Sequence, residues 1–371
     1  MHSLHEHSVK IFADLPEKDV SKKMEVFYNP VMASHRNIAI LLLNSISNTE
    51  MHLADPLAGS GIRSLRFLKE LKPGKIARLY VNDKKEGFRK IFEKNIKLNG
   101  LSQEKNKITL GNTEANKFLA GQHTADFCGY FDYIDIDPFG TPNPFLSVAV
   151  ERIKRQGILA VTATDTAALT GTYEKVTKRK YWAMPLRNYL MHEIGLRILI
   201  RKVQLQGVQF DKALVPILSY HKEHYLRIYF RAEKGKEKCD ALLKQHLYFL
   251  FCHHCLNFKT SVFNKEKCNC GKEFVFAGPL WVGKLFDTTL LREMIKNNPF
   301  PEEQKFLEVL CTESAFDLPG FYDLHALARK YKKEPPKMEM ALKKLKGVRT
   351  HFSLTGVKSK ARIKEVLKVL R

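Results

Sequence analysis

Asp137, Pro138, Phe139 and Gly140 follow an apolar stretch and combine a carboxylate, a restrained backbone and an aromatic ring. An exocyclic amine of a nucleobase is a weak nucleophile, because its lone pair is delocalised into the ring. A carboxylate and a proline-fixed carbonyl can each accept one N–H and turn the lone pair towards a methyl donor, while the aromatic ring stacks on the base. Asp137, Pro138 and Phe139 are therefore predicted to be catalytic residues of amine methylation. An acidic turn after a buried strand is the alternative, and Asp135 is interpreted as structural.

A second candidate site begins at the segment DPLAGSG, residues 55–61. Gly59 and Gly61 let the backbone approach a ligand closely and turn into a helix, although a glycine pair alone is also typical of a plain turn. Asp83 lies 22 residues after Gly61, at the end of the next predicted strand, where a carboxylate can accept hydrogen bonds from two ribose hydroxyls. Glu114 follows a third predicted strand and is placed to recognise an adenine amine. With Asp55, these acids predict a binding site for S-adenosylmethionine.

Four of the seven cysteines are clustered in two pairs. The predicted ligands of a structural, tetrahedral zinc ion are Cys252, Cys255, Cys268 and Cys270. The second pair is one residue shorter than the usual CxxC, so that His253 or His254 could replace one ligand. Reduced thiols without a metal are the alternative. A catalytic zinc deaminase is disfavoured because no H-x-E sequence accompanies the cysteines.

The charge of the chain indicates a polyanionic partner. Lysine and arginine exceed aspartate and glutamate by 23 over 371 residues, and the isoelectric point is near 9.6. About half of this excess lies in residues 329–371, where fifteen basic residues accompany three acidic ones. This distribution favours a nucleic acid over a membrane surface, although a solvated lysine-rich face is the alternative for any single run.

The remaining composition points to a cytoplasmic protein. The longest apolar runs, such as residues 38–43, are about six residues long, too short for a membrane-spanning helix. Residues 1–10 contain no hydrophobic signal core. An odd number of cysteines with four of them clustered fits metal binding in a reducing compartment better than a disulfide framework.

Alternating apolar runs and helical patterns over residues 1–238 predict an α/β domain with a Rossmann-like methyltransferase sheet. A charged segment, residues 233–238, marks the predicted domain boundary. Residues 239–371 are expected to form a smaller, basic α+β domain with the zinc knuckle and a winged-helix-like end. The predicted strands of the sheet are residues 51–54, 77–81, 107–110, 131–136 and 158–162, with a closing antiparallel pair at 215–220 and 225–231.

The segment TATDTAALTGT, residues 162–172, is polar where the fifth predicted strand opens into a loop. It is followed by four basic residues, namely Lys175, Lys178, Arg179 and Lys180. A substrate-binding loop and a plain surface loop are equally compatible with this pattern.

Several of these motifs together resemble the archaeal tRNA (guanine-26-N2)-dimethyltransferase family. The stretch FYNPVM at residues 27–32 with Arg36, the DPLAGSGIR loop, DIDPFGTP and ATDTAALTGT all match its pattern. The cysteine cluster, GPLW at 278–281 and THFS at 350–353 extend the resemblance over essentially the whole chain. DPFG and FYNP are its most specific elements.

The resemblance implies that S-adenosylmethionine donates two methyl groups in succession to N2 of guanine 26 in tRNA. It implies that Asp137 is the catalytic carboxylate and that Phe27 and Phe139 hold the flipped base between their rings. The four clustered cysteines would be the zinc ligands. The residues that the resemblance places around the cofactor are Arg36, Arg63, Asp83, Glu114 and Ala115.

Three positions depart from the family pattern. Glu114 stands where aspartate is usual, the CxC pair is shortened, and Leu354 replaces a common proline. Two other functions are compatible with parts of the sequence. One is methylation of a different exocyclic amine in tRNA, although Phe139-Gly140 differs from the Pro-Tyr or Pro-Phe ending of many such enzymes. The other is a non-catalytic tRNA-binding protein, which would be expected to have lost the glycines or Asp137.

Overall fold

The computed structural model describes residues 2–13, 28–122, 129–316 and 318–370. They form two compact units. The first unit comprises Met1–Thr162, Phe230–Ala232 and Glu293–Gln304, and the second comprises Ala163–Tyr229, Glu233–Arg292 and Lys305–Arg371. The domain boundary placed at residues 238 and 239 from the sequence stays a prediction.

The strands are β1 (His2–Glu6), β2 (Val9–Ala13), β3 (Met51–Asp55), β4 (Ile76–Asn82), β5 (Ile108–Gly111), β6 (Phe131–Ile136), β7 (Ile153–Ala163), β8 (Lys212–Lys222), β9 (Tyr225–Lys234), β10 (His246–Phe251), β11 (Phe258–Ser261), β12 (Val275–Trp281), β13 (Tyr322–Asp323), β14 (Val348–Thr350) and β15 (Ser353–Lys358). The α-helices are α1 (Ala33–Ser45), α2 (Ile62–Glu70), α3 (Phe88–Leu98), α4 (Ala115–Leu119), α5 (Leu146–Arg152), α6 (Thr166–Leu169), α7 (Glu174–Tyr181), α8 (Met191–Val208), α9 (Lys236–Leu243), α10 (Thr288–Lys296), α11 (Pro301–Glu313), α12 (Leu324–Tyr331), α13 (Met338–Leu345) and α14 (Ile363–Leu367).

The first unit is built on a parallel sheet with the strand order β5-β4-β3-β6-β7. The central strands β3 and β6 are buried on both faces at nearly every residue, as in α/β proteins. The chain reverses its direction of strand addition between β3 and β6. Ligands of open α/β sheets bind beyond the carboxyl ends of the strands at such a switch point. Asp55 ends β3 and Asp137 directly follows β6, so the fold brings two of the predicted motifs to this place.

The second unit contains β8, most of the neighbouring strand β9, the long helix α8 and two three-stranded sheets. One sheet has the order β11-β10-β12 and precedes the other, β13-β15-β14, in the chain. The succession α12, α13, β14, β15 follows the winged-helix-like pattern predicted from the sequence. The expected α/β fold with a smaller C-terminal α+β part is therefore confirmed.

Two details differ from the sequence-based expectation. The fifth strand of the parallel sheet, β7, begins at Ile153 and not at residue 158, with polar residues at 154–156 that hide its start. The charged segment 233–238 is also structured, because β9 continues to Lys234 and α9 begins at Lys236. Among the described residues, no helix is long and apolar enough to cross a membrane. The cytoplasmic location stays a prediction.

Candidate active site

The carboxylate of Asp137 lies at the carboxyl end of β6 and is held by Arg63 from α2. The Arg63 Nη2 atom donates to Asp137 Oδ2 over 2.5 Å, and Arg63 Nη1 is 3.1 Å from Asp135 Oδ2. Arg63 is almost completely buried, whereas the Asp137 side chain is 19% exposed. Arg63 and His35 both contact Asp137 at Oδ2. Among the described residues, no side chain forms an ion pair with the Oδ1 atom. The arrangement fixes a negatively charged acceptor at the edge of the sheet.

His35, a buried residue of α1, supports the same ion pair. Its Nδ1 atom lies 3.0 Å from Arg63 Nη2, and its Nε2 atom lies 3.1 Å from Thr162 Oγ1. A guanidinium only donates, so Nδ1 must accept and Nε2 carries the proton. In this tautomer His35 orients the Arg63 guanidinium towards Asp137, whose Oδ2 atom lies 3.7 Å from the same Nδ1 atom.

Asp135 is structural, as interpreted from the sequence. It is fully buried and accepts a hydrogen bond from the Tyr133 hydroxyl over 2.5 Å in addition to its pairing with Arg63. Arg63 thus lies between two carboxylates, and its positive charge stays next to Asp137 when a ligand binds at Oδ1. Asp135 is therefore a positioning residue, which acts on Asp137 through Arg63.

Asp55, predicted to bind the cofactor, is only 1% exposed and accepts a hydrogen bond from Ser64 Oγ over 2.7 Å. Burial raises the pKa of Asp55 to about 7, although Arg63 acts in the opposite direction and Asp135 adds to the rise. Its part in cofactor binding stays a prediction, and the described contacts place it beneath the loop, where it ties β3 to α2.

Replacing Asp55 with asparagine is expected to make stability less dependent on pH. The folded-state pKa is raised above the ordinary value of 3.8, so the stability due to the neutral carboxyl is full below about pH 4 and is lost as the pH rises through 7. Asparagine cannot ionise. Relative to the wild type, Asp55→Asn should therefore gain about 3 kcal/mol of unfolding free energy between pH 5 and pH 8.5. Urea denaturation at several pH values measures this gain. A constant difference across this range would contradict the raised pKa.

The glycine loop depends on its glycines for different reasons. Gly61 has a φ of 77°, and a Cβ atom there would come within 2.2 Å of the Phe92 ring. The φ of Gly59 is 58°, and its backbone N–H donates to Asp83 Oδ2 over 2.8 Å. Asp83 also accepts from the Lys85 N–H at its other oxygen over 2.9 Å. Each carboxylate oxygen can accept a further hydrogen bond, so Asp83 both shapes the loop and keeps acceptors for hydroxyl groups.

Asn82, fully buried, joins the loops that follow the first and third strands of this sheet. Its side-chain amide donates to the carbonyls of Pro56 and Thr113, each over 3.0 Å, and accepts from the Thr113 N–H over 3.0 Å. The Asn82 carbonyl accepts from the Ala58 N–H over 2.9 Å. Asn82 therefore holds the loop after β3 and the loop after β5 in a fixed relation.

Glu114 precedes helix α4 and caps it. Its Oε2 atom accepts from the N–H groups of Asn116 and Lys117 over 3.0 and 3.1 Å. Ala115, the first residue of α4, is buried. Glu114, which replaces the family's aspartate, thus uses its side chain for the helix terminus next to the place where the adenine ring is predicted to bind.

Arg36, also predicted at the cofactor site, lies in a buried ion-pair network on α1. Its Nε atom donates to Glu6 Oε1 over 2.7 Å, its Nη2 atom contacts Glu6 Oε2, and Nη2 also donates to the Asn29 carbonyl over 3.0 Å. Arg66 Nη1 reaches the same Glu6 over 2.9 Å. The network ties the N-terminal hairpin of β1 and β2 to α1 and α2.

Phe27 and Phe139 are the two aromatic residues predicted to hold the base. Phe139 is 41% exposed, so part of its ring is accessible at the edge of the sheet. Pro138 lies between it and Asp137, two residues after the end of β6. Phe27 lies outside the described residues.

The four clustered cysteines meet in the second unit. All four Sγ atoms lie within 4.8 Å of one another, with Cys252 3.5 Å from Cys270 and Cys255 3.5 Å from Cys268. The short CxC spacing is accommodated by Gly271, whose φ is 83° and whose N–H donates to the Cys268 carbonyl. The structure therefore brings Cys270 into the cluster, and neither His253 nor His254 belongs to it.

Sequence reasoning missed His35, Asn82 and Glu6. Asn82 directly precedes Asp83 at the end of β4, and a polar residue buried at a strand end is a usable signal. His35 and Glu6 act through Arg63 and Arg36, which lie 28 and 30 residues further along the chain. Nothing in the local pattern indicates such pairs.

A Rossmann-like sheet with a glycine loop after β3, an aspartate directly after β4 and a carboxylate beyond β6 is the arrangement of S-adenosylmethionine-dependent methyltransferases. The particular family follows from the whole chain. The protein belongs to the N2,N2-dimethylguanosine tRNA methyltransferases, whose family model matches residues 6–371, and it is therefore a tRNA methyltransferase. The resemblance noted in the sequence is confirmed.

Two relatives and one solved structure match this chain over nearly its full length. A tRNA (guanine(26)-N(2)/guanine(27)-N(2))-dimethyltransferase of Aquifex aeolicus is 40% identical, over 99% of this chain and 95% of the relative. A tRNA (guanine(26)-N(2))-dimethyltransferase of Pyrococcus furiosus is 35% identical, over 99% and 98%. The structure of Trm1 from Pyrococcus horikoshii with S-adenosyl-L-methionine is 30% identical, with a TM-score of 0.85 and complete coverage of both chains.

Proposed function

We propose that this protein transfers two methyl groups from S-adenosylmethionine to N2 of guanine 26 in tRNA. The observation that carries the proposal is the Asp137 carboxylate, which lies beyond β6 with Arg63 bound at Oδ2. The Asp137 side chain is 19% exposed, and its contacts with Arg63 and His35 are both at Oδ2, which supports Oδ1 as the acceptor for an amine. The names of full-length relatives that are 35–40% identical support the choice of position 26.

The loops beyond β3, β4 and β5 fit the methyl donor. When bound, S-adenosylmethionine supplies an electrophilic methyl group on a sulfonium centre. Asp83 retains acceptor capacity for ribose hydroxyls. Phe92 packs where a Cβ atom of Gly61 would lie, so the loop that would hold the amino-acid end keeps its tight turn only with glycine there. Glu114 and the first turn of α4 would border the adenine ring.

Asp137 and the backbone carbonyl of Pro138 are proposed to orient the guanine amine. The N2 group has two N–H bonds, and each acceptor takes one, so that the nitrogen lone pair points at the methyl donor. After the first transfer only one N–H remains. We expect Asp137 to keep this bond, because a charged acceptor binds an N–H more strongly than a neutral carbonyl does. The proton released in each round can pass to Asp137 or to water.

Guanine 27 is a second candidate acceptor, since the Aquifex aeolicus relative carries both positions in its name. Three tRNA transcripts separate the possibilities, with guanine at position 26 only, at 27 only, and at both. Each is incubated with the protein and methyl donor, digested and analysed by mass spectrometry. Dimethylguanosine in the first transcript alone supports position 26, and its appearance in the second adds position 27. No dimethylguanosine in any transcript would refute the proposed function.

We also infer that the four cysteines hold a structural zinc ion. Thiolates placed about 2.3 Å from a tetrahedral zinc lie about 3.8 Å apart, close to the 3.5 Å of the two recorded sulfur pairs. Four protein ligands leave no open position for catalysis. The ion would clamp the turns after β10 and before β12, where only a few buried residues form a core of their own.

Removing one ligand is expected to abolish zinc binding and loosen this sheet. Cys270→Ser should lower the zinc content from one ion per chain towards zero, and should speed hydrogen exchange of the β10 amides, because metal binding there contributes directly to folding. Cys311→Ser, on α11 and outside the cluster, is the matched control. Full zinc content in Cys270→Ser would exclude Cys270 as a ligand, and a metal-free wild type would exclude the site.

The basic C-terminal segment is proposed to contact tRNA phosphates. Lys344, Lys346 and Lys360 line an open cleft in the second unit. Such contacts release counterions from the RNA, so affinity should fall steeply with salt. If the affinity for tRNA does not change with salt concentration, these lysines form a solvated surface and do not contact phosphates.

A further inference from the structure

Helix α7 carries an exposed aromatic residue at each end and basic residues between them. Tyr173, the residue before the helix, is 59% exposed, and Trp182, the residue after it, is 51% exposed. Exposed aromatic rings beside basic side chains are the combination that binds unpaired nucleotides. We call residues 173–182 the α7 surface. It lies within the second unit and follows the loop whose role the sequence left open.

The basic residues of the α7 surface are only partly neutralised. Lys178 pairs with Glu174 over 2.9 Å, and Lys180 lies 3.6 Å from Asp165. Lys175 and Arg179, one helical turn apart, are exposed and form no ion pair with any described residue. Two uncompensated positive charges therefore accompany the aromatic rings.

Trp182 is held in a conformation that a bulky residue seldom adopts. Its φ is 55°, at the C-terminal end of α7 where glycine is usual. Its N–H donates to the Lys178 carbonyl, and its own carbonyl accepts from Arg201 over 3.3 Å. A non-glycine residue in the left-handed region stores backbone strain, which persists where surrounding contacts impose it and is concentrated at functional sites.

One side of the Trp182 ring is supported by a cation. Lys202 Nζ, on helix α8, lies 3.1 Å from the ring centroid. Lys202 itself is buried, with 5% exposure. The ammonium group fixes the ring and leaves half of the residue accessible, which is the arrangement of a rigid stacking platform.

We propose that the α7 surface binds a nucleotide of tRNA other than the guanine that is methylated, with its base stacked on Trp182 and neighbouring phosphates on Lys175 and Arg179. Stacking on an exposed ring with adjacent cations is how proteins bind unpaired nucleotides without reading their sequence. The uncompensated positive charge favours RNA over a protein or lipid hydrocarbon. The inference rests on the proposed function only in taking tRNA as the substrate.

The tryptophan content of the chain permits a direct test. The sequence has two tryptophans, and the second, Trp281, is only 4% exposed. Acrylamide should therefore quench Trp182 selectively, and saturating unmodified tRNA should protect it and quench its emission. Trp182→Phe retains only the Trp281 signal and corrects for absorption by the RNA. If tRNA binds while Trp182 stays fully accessible to acrylamide, the proposal is wrong.

Substitutions test the energetic contribution. Trp182→Gly removes the ring at a position whose backbone suits glycine, and it is expected to weaken tRNA binding about tenfold, while Trp182→Tyr restores most of the affinity. A loss of affinity accompanied by an equally lowered melting temperature in Trp182→Gly, with no rescue by tyrosine, would indicate a merely structural role and overturn the proposal.

The charge contribution has a matched control on another helix. Lys175→Gln with Arg179→Gln should lower the slope of log Kd against log salt concentration by about 1.5, as expected for two phosphate contacts. Lys90 and Lys94 on α3 are also exposed and four residues apart, and their glutamine double variant should leave the slope unchanged. Equal effects of both pairs would contradict a specific role of α7. These binding measurements need no methylation, so they remain decisive even if guanine 26 is not modified.

Discussion

Asp137→Ala is expected to lower the rate of methyl transfer to tRNA about a thousandfold or more, while binding of S-adenosylmethionine remains largely intact. Orientation of a poor nucleophile and acceptance of its proton together account for effects of this size. The variant leaves Arg63 paired with Asp135 at 3.1 Å, so the buried guanidinium keeps a counter-charge and the local structure should persist. The measurement is single-turnover methylation with saturating tRNA, together with calorimetric titration of the donor.

Asp137→Asn is the matched control for charge. Its side-chain oxygen can still accept an N–H, but the negative charge that attracts Arg63 and the amine is lost. An intermediate rate would separate the contribution of the hydrogen bond from that of the charge. If Asp137→Ala retains more than a tenth of the wild-type rate, Asp137 does not orient the amine and the mechanism proposed above is wrong.

Lys358→Met is expected to destabilise the second unit by about 3–5 kcal/mol, the usual result of removing one partner from a buried ion pair. Lys358 is 1% exposed, and its Nζ atom lies 3.0 Å from Glu193, 3.3 Å from Glu313 and 3.0 Å from the Leu318 carbonyl. Both carboxylates are themselves buried. Methionine fills a similar volume without charge, so two negative groups would lose their shared cation.

The pH dependence of this loss distinguishes charge from packing. Burial alone would raise the pKa of Glu313, but His351 and Lys358 lower it to about 2. The resulting stability is present above the ordinary pKa of 4.5 and is lost as the pH falls towards 2. Without Lys358 the two carboxylates take up protons at a higher pH. The loss of unfolding free energy in Lys358→Met should therefore become smaller as the pH falls from 7 to 4.5. Urea denaturation measures this loss.

Lys360→Met is the control, since Lys360 is an exposed lysine two residues away. Surface substitutions of this kind usually change stability by less than about 0.5 kcal/mol. A loss in Lys358→Met no larger than that of Lys360→Met would mean that the network contributes little to folding.

The sequence was sufficient to predict the five parallel strands and their order along the chain. It was not sufficient to predict where every strand begins. Buried strands are apolar on both faces and stand out as runs. The first residues of β7 are polar and partly exposed, and the backbone there includes Gln156 at a φ of 64°, so no periodic signal marks them. The hairpin of β1 and β2 did carry a signal, because Val9, Ile11 and Ala13 alternate towards the core.

In the candidate site, the acids at the strand ends could be predicted from the sequence, whereas their contacts could not. Asp83, Glu114 and Asp137 lie at strand ends, and parallel strands end at one edge, so their proximity could be predicted from spacing. Their partners could not. Arg63 was expected at the cofactor, and the described contacts place its guanidinium between Asp135 and Asp137.

By itself the sequence determined the class of chemistry and the family. A short motif such as DPFG encodes a carboxylate, a carbonyl and a ring within adjacent residues, and this local chemistry needs no knowledge of the fold. Tertiary structure alone decided how these groups are charged and oriented. His35, Arg63 and Asp137 meet only after α1, α2 and β6 have packed together. The reason is physical, because the electrostatics of a buried group depend on neighbours within a few ångströms, and these come from distant parts of the chain.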